Sequence, residues 1–516
     1  MKCLTTSCLI AGSLFMSSAN AQTTVHLDLE NPGATINKNI YGQFMEHLGR
    51  GIYEGVWVGE NSSIKNINGF RTDVLSALRD LHVPLVRWPG GCFADEYHWK
   101  DGIGPKNKRK VTVNTNWGGV TDDNAFGTHE FMEFAGLLGA EVYINGNLGT
   151  GTPQEMAQWL EYMTSDSQST LANLRRENGR DKPWKIDYFA IGNETWGCGG
   201  SMTPEYYANL YKRYATFLKT PADNTPKLIA SGGHTDQLEW TEYLIKNAKS
   251  TWAMQMDAIS HHYYTLPTGN WEKKGSALGF DESEWFSALK NTLRMETFIK
   301  NNIAILDKHD PDKKVGFYID EWGTWYDVAE GDDPGFLYQQ NSLRDAVIAA
   351  LNLNLFHQHA DRIHMSNIAQ MVNVLQAMIL TDKEKMILTP TYHVFKMYVP
   401  FQNATSIPLT IKGKAKYKYN DASIPKISAT AAIAQDGKLY IALVNTDPNS
   451  MESVSIKAPK DFVSAKGFIL TSDVLDAHNT FAKPDNITPI AFTVLAVDGN
   501  VKIDLRPKSI IVFNLE

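Results

Sequence analysis

The sequence predicts an α/β protein in which a (β/α)8 TIM barrel is followed by a C-terminal antiparallel β-sandwich of jelly-roll type. Three observations lead to this fold class. Short apolar segments alternate with helical segments over roughly 360 residues. Polar side chains stand where the apolar segments end. After about residue 400, apolar and polar residues alternate between turn signals, which is typical of antiparallel strands.

The apolar segments are predicted barrel strands because strands buried on both faces are apolar along most of their length. They begin at Ile40, Val83, Glu141, Ile186, Lys227, Met256, Lys314 and Arg362. Two helical segments begin with Thr152-Pro153 and Thr203-Pro204, where threonine caps the helix and proline takes its first position. A doubly wound open sheet is the alternative, but eight strands without a nucleotide-binding loop favour the barrel.

The ends of the chain complete the predicted domain organisation. Residues 1–21 resemble a signal peptide, with Lys2, an apolar run and the small residues Ala19-Asn20-Ala21, so we expect cleavage after Ala21 and export to the periplasm or beyond. Residues 22–38 alternate like the C-terminal part, and we expect their strand to join that sheet. The catalytic barrel is predicted over 39–399 and the β-sandwich over 400–516.

Composition excludes several classes of protein. The net charge of -8 offers no basic surface for nucleic acid, and no later segment has the about 18 consecutive apolar residues that a membrane span needs. Aromatic residues, 11% of the chain with 13 tryptophans, suit ligands that contain sugar rings. Cys92 and Cys198 both follow glycines at predicted strand ends; we expect free thiols near a shared site, with one disulfide as the alternative.

The residues at the C-terminal ends of barrel strands line the active site in this fold. A lone carboxylate buried there would cost several kcal/mol unless it were paired or hydrogen-bonded. Polar residues at the predicted strand ends are Glu46, His47, Arg87, Asn145, Asn147, Asn193, Glu194, His261, His262, Tyr263, Tyr264, Asp320, Glu321, Asn367 and Gln370.

Two of these residues, Glu194 on the fourth strand and Glu321 on the seventh, are expected to face each other across the barrel mouth. Retaining glycosidases place two carboxyl groups about 5–5.5 Å apart, one as nucleophile and one as acid and then base. The alternative is a pair of surface-loop acids. The aromatic side chains expected to flank the pair are Trp196, Trp322, Trp325 and Tyr326.

Metal and cofactor sites have weaker signals. His261-His262 and the pair His357 and His359 lack the HExxH or cysteine-pair spacing of zinc sites. The glycines around Gly146 do not open a helix of a nucleotide-binding unit. We therefore expect neither a metal nor an organic cofactor.

Six sequence blocks strongly resemble glycoside hydrolase family 51, whose principal members are retaining α-L-arabinofuranosidases. They follow the predicted strand order from about Tyr41 to Asn373 and read YGQFMEHLGRGIYEGVW, VRWPGGCFADEYHWKDGIGP, DDNAFGTHEFMEF, YFAIGNETWGCGG, AISHHYYT and YIDEWGTWY. The resemblance implies that Glu194 is the acid/base and Glu321 the nucleophile. It implies that the substrate-binding residues are Glu46, Arg87, Cys92, Asn193, His262, Tyr264, Trp325 and Gln370.

The resemblance also implies an exo-acting enzyme that removes terminal arabinofuranosyl residues from arabinan or arabinoxylan by double displacement, as a homo-oligomer that is often a hexamer. An endo-β-glucanase, a xylosidase-like enzyme and a non-catalytic glycan-binding protein are the alternatives. A pocket closed at one end would favour the exo-acting enzyme over an endo-acting one.

Overall fold

The computed structural model describes residues 23–249, 252, 255–413, 415–457, 462–497 and 500–516, so the predicted signal peptide lies outside the described residues. Eight parallel strands close into a barrel in which spatial order follows chain order, which confirms the predicted fold class. The barrel strands are β1 (Gly42–Phe44), β2 (Leu85–Trp88), β3 (Glu141–Gly146), β4 (Tyr188–Ile191), β5 (Lys227–Ser231), β6 (Met256–Thr265), β7 (Gly316–Thr324) and β8 (Ile363–Ile368).

Helices surround this barrel. The two predicted Thr-Pro starts are confirmed: the hydroxyls of Thr152 and Thr203 accept hydrogen bonds from backbone N–H groups in the first turns of their helices. The α-helices are α1 (Thr72–Asp80), α2 (Thr128–Leu138), α3 (Pro153–Thr164), α4 (Thr170–Glu177), α5 (Pro204–Phe217), α6 (Leu238–Asn247), α7 (Glu282–His309), α8 (Leu343–Gln358) and α9 (Pro390–Tyr398). Short 3-10 helices cover Lys38–Tyr41, Cys92–Asp95, Trp99–Gly102, Lys106–Lys108, Ala222–Asn224 and Val399–Phe401.

Side chains fill the barrel interior below the mouth. Tyr143, Tyr188 and Tyr318 lie in one buried cluster with smaller apolar residues from other strands. Because side chains alternate along a strand, Phe189 and Ile191 of β4 face outward and join the larger core between strands and helices. The filled interior leaves the mouth as the place for a substrate site.

The remaining strands form a β-sandwich beside the barrel. The N-terminal strand Thr23–Leu27 pairs with Leu409–Lys412 and Glu452–Lys457, as expected for a strand that joins the C-terminal sheet. In spatial order, one sheet contains Leu409–Lys412, Thr23–Leu27, Glu452–Lys457 and Asn500–Leu505, and the other contains Thr405–Ser406, Ile427–Ile433, Leu439–Asn445, Ser509–Leu515, Ser464–Leu470 and Ile490–Leu495. We keep the predicted domain boundaries near residues 38 and 399 as a proposal.

Four two-stranded ribbons decorate these domains. They pair Asn66–Ile67 with Phe70–Arg71, Thr112–Val113 with Thr121–Asp122, Ile379–Asp382 with Lys385–Leu388, and Lys416–Tyr419 with Ala422–Pro425. Among the described residues, no helix has the length and apolar character needed to cross a membrane.

Candidate active site

The barrel brings Glu194 and Glu321 together at its mouth. One carboxylate oxygen from each and a ring nitrogen of His262 all lie within 4.8 Å of one another. The pairing register of β6 and β7 shifts next to these residues, so that the consecutive Asp320 and Glu321 both reach the site. Such irregularities re-aim side chains next to active sites. Two carboxylate oxygens this close agree with the short spacing of retaining glycosidases and not with the wider spacing of inverting ones.

Glu321 is buried and firmly held. Arg87 Nη1 donates to its Oε1 at 2.7 Å, and the Tyr264 hydroxyl donates to its Oε2 at 2.9 Å. His262 Nδ1 lies 3.3 Å from the same Oε2. Both carboxylate oxygens of Glu321 therefore have fixed hydrogen-bond donors, one of them a cation.

Arg87 is the buried cation that organises this side of the mouth. Its Nη2 donates to Asn193 Oδ1 at 2.6 Å, its Nε lies 3.7 Å from Asp320 Oδ2, and its guanidinium lies 4.4 Å from the centre of the Phe44 ring. Burial disfavours its charge, but Asp320 and Glu321 raise the pKa of Arg87 above its ordinary value. Arg87 thereby fixes the ends of strands β4 and β7 relative to each other.

Glu194 follows β4 and is less enclosed. Its φ of 39° lies in the left-handed region, which is uncommon for a residue other than glycine. His262 Nδ1 lies 2.7 Å from its Oε1, and the sulfur of Cys198 lies 3.6 Å from its Oε2. Its side chain is 19% exposed, against 7% for Glu321, so it borders the solvent side where a leaving group departs.

His262 lies between the candidate catalytic carboxylates. Its Nδ1 contacts Glu194, and its Nε2 lies 3.2 Å from Asp320 Oδ1. Burial opposes the charged ring, but Glu321, Asp320 and Glu194 together raise the pKa of His262 to about 10. At neutral pH the ring is therefore a cation that is hydrogen-bonded to Glu194 through Nδ1 and ion-paired with Asp320 through Nε2.

Replacing His262 by glutamine is expected to lower thermal stability in a pH-dependent way. A histidine whose folded pKa is raised contributes stability that is complete below its unfolded pKa near 6.5 and is lost as pH rises towards about 10. The Tm deficit of the variant, about 1 °C per kcal/mol lost in a chain of 516 residues, should be greatest at pH 6 and smallest at pH 10. A deficit that is constant across this range in calorimetry would contradict the charge assignment.

Glu46 and Gln370 form the inner end of the site. Glu46 Oε1 accepts from Trp117 Nε1 at 3.0 Å and from two backbone N–H groups of the turn after β2, while its Oε2 accepts from Gln370 Nε2 at 2.9 Å. Burial, reinforced by the charge of Glu321, raises the pKa of Glu46 to about 7. Because three donors occupy Oε1, Oε2 is the oxygen of Glu46 that has room to accept a hydrogen bond from a sugar hydroxyl.

Aromatic rings form one wall of the site, but these rings are not the four that the sequence pattern indicated. Trp325 lies edge-on to Tyr264 with ring centroids 5.1 Å apart, and Trp271 continues the row 5.3 Å from Trp325. Trp196 packs against His234.

The expectation that Trp322 and Tyr326 flank the glutamates is wrong. Trp322 is fully buried, donates from Nε1 to the Ser366 hydroxyl and stacks on Phe395. Tyr326 donates its hydroxyl proton to Asp345 at 2.6 Å in the core. Trp322 directly follows Glu321 in the strand, so alternation turns it to the outer face of the barrel.

Cys92 and Cys198 form a disulfide with Cα atoms 5.6 Å apart, so the expectation of free thiols is wrong and the alternative holds. Cys92 begins a 3-10 helix after β2, and Cys198 belongs to the turn after Glu194. The bond therefore joins the loops after β2 and β4, two strands that β3 separates in the barrel.

Sequence reasoning missed several residues that contact the predicted ones. Asp95 is buried and accepts from the backbone N–H groups of Leu148, Gly149 and Asn193; despite these bonds, burial raises the pKa of Asp95 to about 7. Trp117, which binds Glu46, lies in a loop. The signal that would have found Asp95 is its place in the block that contains Cys92, three residues after that cysteine.

Two groups of side chains have the spacing to hold a cation among the described residues: Cys92, Glu194 and Cys198, and Glu194, His262 and Glu321. Both sulfurs of the first group are bonded to each other. In the second group, the ring of His262 donates to the carboxylates. In both groups, the atoms that could bind a cation are thus already bonded or hydrogen-bonded to one another.

Known proteins resemble this chain over its whole length. A family model described as alpha-L-arabinofuranosidase 1 domain matches residues 77–277, and one described as alpha-L-arabinofuranosidase C-terminal domain matches 320–509. The crystal structure of the GH51 arabinofuranosidase from Xanthomonas axonopodis pv. citri is 49% identical with a TM-score of 0.93, covering 96% of this chain and 100% of that one. The arabinose complex of the Thermotoga maritima α-L-arabinofuranosidase is 30% identical with a TM-score of 0.80, covering 96% and 99%.

One relative corrects the expected location. A Bacteroides ovatus protein named intracellular exo-alpha-L-arabinofuranosidase is 48% identical over 522 residues, covering 100% of this chain and 99% of that protein. The prediction of export to the periplasm or beyond is contradicted by this relative. A single lysine before a short apolar run is a weak signal, since a buried N-terminal segment has the same composition. The relatives agree on the family: the chain belongs to glycoside hydrolase family 51, the retaining α-L-arabinofuranosidases.

Proposed function

We propose that this arabinofuranosidase removes terminal arabinofuranosyl residues by double displacement, with Glu321 as nucleophile and Glu194 as acid and then base. The observation that carries this assignment is the closeness of the two carboxyl groups combined with their unequal surroundings. Glu321 has the donors Arg87 and Tyr264, which hold its carboxylate in one orientation. Glu194 has a more open position at the edge of the mouth.

The first displacement needs a proton on the leaving oxygen. Ionised Glu321 attacks the anomeric carbon while Glu194 gives its proton to the departing oxygen, which yields a glycosyl ester on Glu321. His262 contacts Oε1 of Glu194. We therefore assign Oε2, the oxygen on the side of Cys198, to the leaving group.

The second displacement reverses these roles. Once Glu321 is esterified its negative charge is gone, so Glu194 remains as the carboxylate that accepts a proton from water. That water attacks the anomeric carbon and releases arabinose with its original configuration. His262 stays bonded to Glu194 Oε1 and holds the base in place during this step.

The substrate is an arabinose-containing glycan, and we propose arabinan or arabinoxylan chains cut from their non-reducing ends. The ribbon of Thr112–Val113 and Thr121–Asp122 supports the exo assignment. A methyl group on Gly335 would lie 2.4 Å from Cα of Gly118, so the loop after β7 touches the tip of this ribbon. Gly118 follows Trp117, which bonds Glu46, so we take this contact to favour a pocket over an open groove.

We also propose, from the family resemblance, that the enzyme is a homo-oligomer, commonly a hexamer in this family. Light scattering on the purified full chain measures the mass directly. A mass of 57.7 kDa would correspond to a monomer and would contradict this proposal.

Glu194→Ala tests the acid role through the leaving group. Loss of a general acid costs about 10²–10⁴-fold in rate, but only when the leaving group needs a proton. We expect kcat/KM on arabino-oligosaccharides to fall by about 10³-fold and on 2,4-dinitrophenyl α-L-arabinofuranoside by less than about 10-fold. Equal losses on both would refute the acid role.

Wild-type activity on aryl xyloside or β-glucan in place of the arabinofuranoside would favour the alternative enzymes.

A further inference from the structure

We propose that the Cys92–Cys198 disulfide positions the general acid, and that its reduction by a dithiol selectively weakens proton donation to the leaving group. This inference rests on the proposed function, because it takes Glu194 to be the acid. It adds a positioning role for the disulfide, and a redox sensitivity, that the mechanism above does not need.

The disulfide joins the two loops that carry opposite sides of the site. Cys198 lies four residues after Glu194, and Cys92 lies one residue after Gly91. A methyl group on Gly91 would lie 2.7 Å from Glu321 Oε1, so this turn packs against the nucleophile. The bond thus ties the loop of the acid to the turn beneath the nucleophile, across 106 residues of sequence.

The loop after Glu194 is bonded mainly to itself and, through Thr195, to Ser231, and these bonds do not hold the side chain of the acid. The backbone N–H groups of Gly197 and Gly199 donate to the Glu194 carbonyl at 2.7 and 3.1 Å, which supports the left-handed backbone of that residue. Its side chain has one strong partner, His262, whereas Glu321 has Arg87 and Tyr264. We infer that the direction of Glu194 depends on the loop being held at Cys198.

The bond is open to attack from solvent. Cys198 is exposed and Cys92 is half-buried, so a dithiol thiolate reaches the Cys198 sulfur first. A mixed disulfide forms there and Cys92 leaves as a thiolate that takes up a proton. The second thiol of the reagent then attacks its own sulfur in the mixed disulfide and releases Cys198. Two electrons and two protons pass to the protein, and the reagent becomes a cyclic disulfide.

Reduction has two effects on the acid. It frees the loop from the turn after β2, and it places a thiol where a bonded sulfur lay 3.6 Å from Glu194 Oε2. A displacement of about 1 Å in a catalytic group costs up to 10²-fold in rate. The cost falls on the step in which Glu194 donates a proton, and Glu321 keeps its own donors.

The test compares two substrates with the full-length enzyme before and after dithiothreitol. We expect reduction to lower kcat/KM on arabino-oligosaccharides by about 10- to 100-fold and on 2,4-dinitrophenyl α-L-arabinofuranoside by less than about twofold. Removal of the reagent and reoxidation should restore the oligosaccharide rate. Cys198→Ser should have the same rate as the dithiothreitol-treated wild type, whether or not dithiothreitol is present. If this variant fails to fold, the wild-type measurements with and without dithiothreitol still test the inference.

Glu194→Ala separates this inference from the proposed function. If the disulfide acts through Glu194, dithiothreitol causes no further loss on oligosaccharides in that variant. If dithiothreitol lowers the rates on both substrates equally, or lowers neither, the positioning role of the disulfide is wrong. The acid role of Glu194 still holds in that case, provided that Glu194→Ala loses much more activity on oligosaccharides than on the dinitrophenyl substrate. If Glu194→Ala itself fails to discriminate, the proposed acid is wrong. Circular dichroism on each reduced sample confirms that the fold is retained.

Discussion

Glu321→Ala is expected to lower kcat/KM on 4-nitrophenyl α-L-arabinofuranoside by at least about 10⁴-fold, because the variant cannot form the glycosyl ester. A good leaving group does not rescue it, since the missing group is the nucleophile. Release of 4-nitrophenol, measured beside the wild type at matched protein concentration, checks the result. Residual activity above about 1% of wild type would require another nucleophile.

Azide distinguishes this variant from Glu194→Ala. In the space left by Glu321, azide attacks the anomeric carbon directly, and the expected product is the arabinofuranosyl azide of inverted configuration. In Glu194→Ala the ester still forms on Glu321, so azide replaces water in the second step and the configuration is retained. Nuclear magnetic resonance gives the anomeric configuration of each product and so tests which glutamate is the nucleophile and which is the acid/base. The same configuration from both variants would contradict it.

The sequence predicted the barrel and its mouth for a definite physical reason. Parallel strands end at one face, so polar residues at the ends of apolar segments converge without any knowledge of side-chain contacts. Glu194 and Glu321 needed only this rule to be placed together. The role of each came from the resemblance to family 51, because spacing along the chain carries no information on which carboxylate binds Arg87.

Contacts that depend on local irregularities were beyond sequence reasoning. Strict alternation would separate Asp320 from Glu321, yet a register shift in β7 sends both to the mouth and turns Trp322 outward. The bond between Cys92 and Cys198 depends on two loops whose paths are set by tight glycine contacts. Trp117 reaches Glu46 from a ribbon that no strand-end rule includes.

Arg87→Met is expected to cost both stability and activity, because it removes the strand β2 cation that shares Asp320 and Glu321 with His262. Arg87 is 1% exposed and makes its bonds in the dry base of the mouth. Breaking a buried ion pair by removing one partner costs about 3–5 kcal/mol, since the other charge stays buried and uncompensated. Activity should fall by at least about 10²-fold as Glu321 loses its fixed position.

The pH dependence of this loss identifies its cause. Burial alone would raise the pKa of Asp320, but Arg87, His262 and Tyr143 hold it below its ordinary value. A carboxyl with a lowered folded pKa contributes stability above its unfolded pKa near 3.8, and this contribution is lost as pH falls through the folded value. Without Arg87 the burial of Asp320 raises its pKa, so in Arg87→Met protonation relieves the buried charge as pH falls, and the Tm deficit should be large at pH 7 and shrink towards pH 4.

Two matched variants show whether charge or packing is responsible. Arg87→Lys keeps the charge but cannot bond Glu321 and Asn193 together, so its Tm should lie between wild type and Arg87→Met at pH 7. Arg213→Met removes an exposed arginine and should leave Tm within about 1–2 °C of wild type. A deficit in Arg87→Met that is equal at pH 4 and pH 7 would mean that lost packing against Phe44, rather than two uncompensated carboxylates, destabilises the barrel mouth.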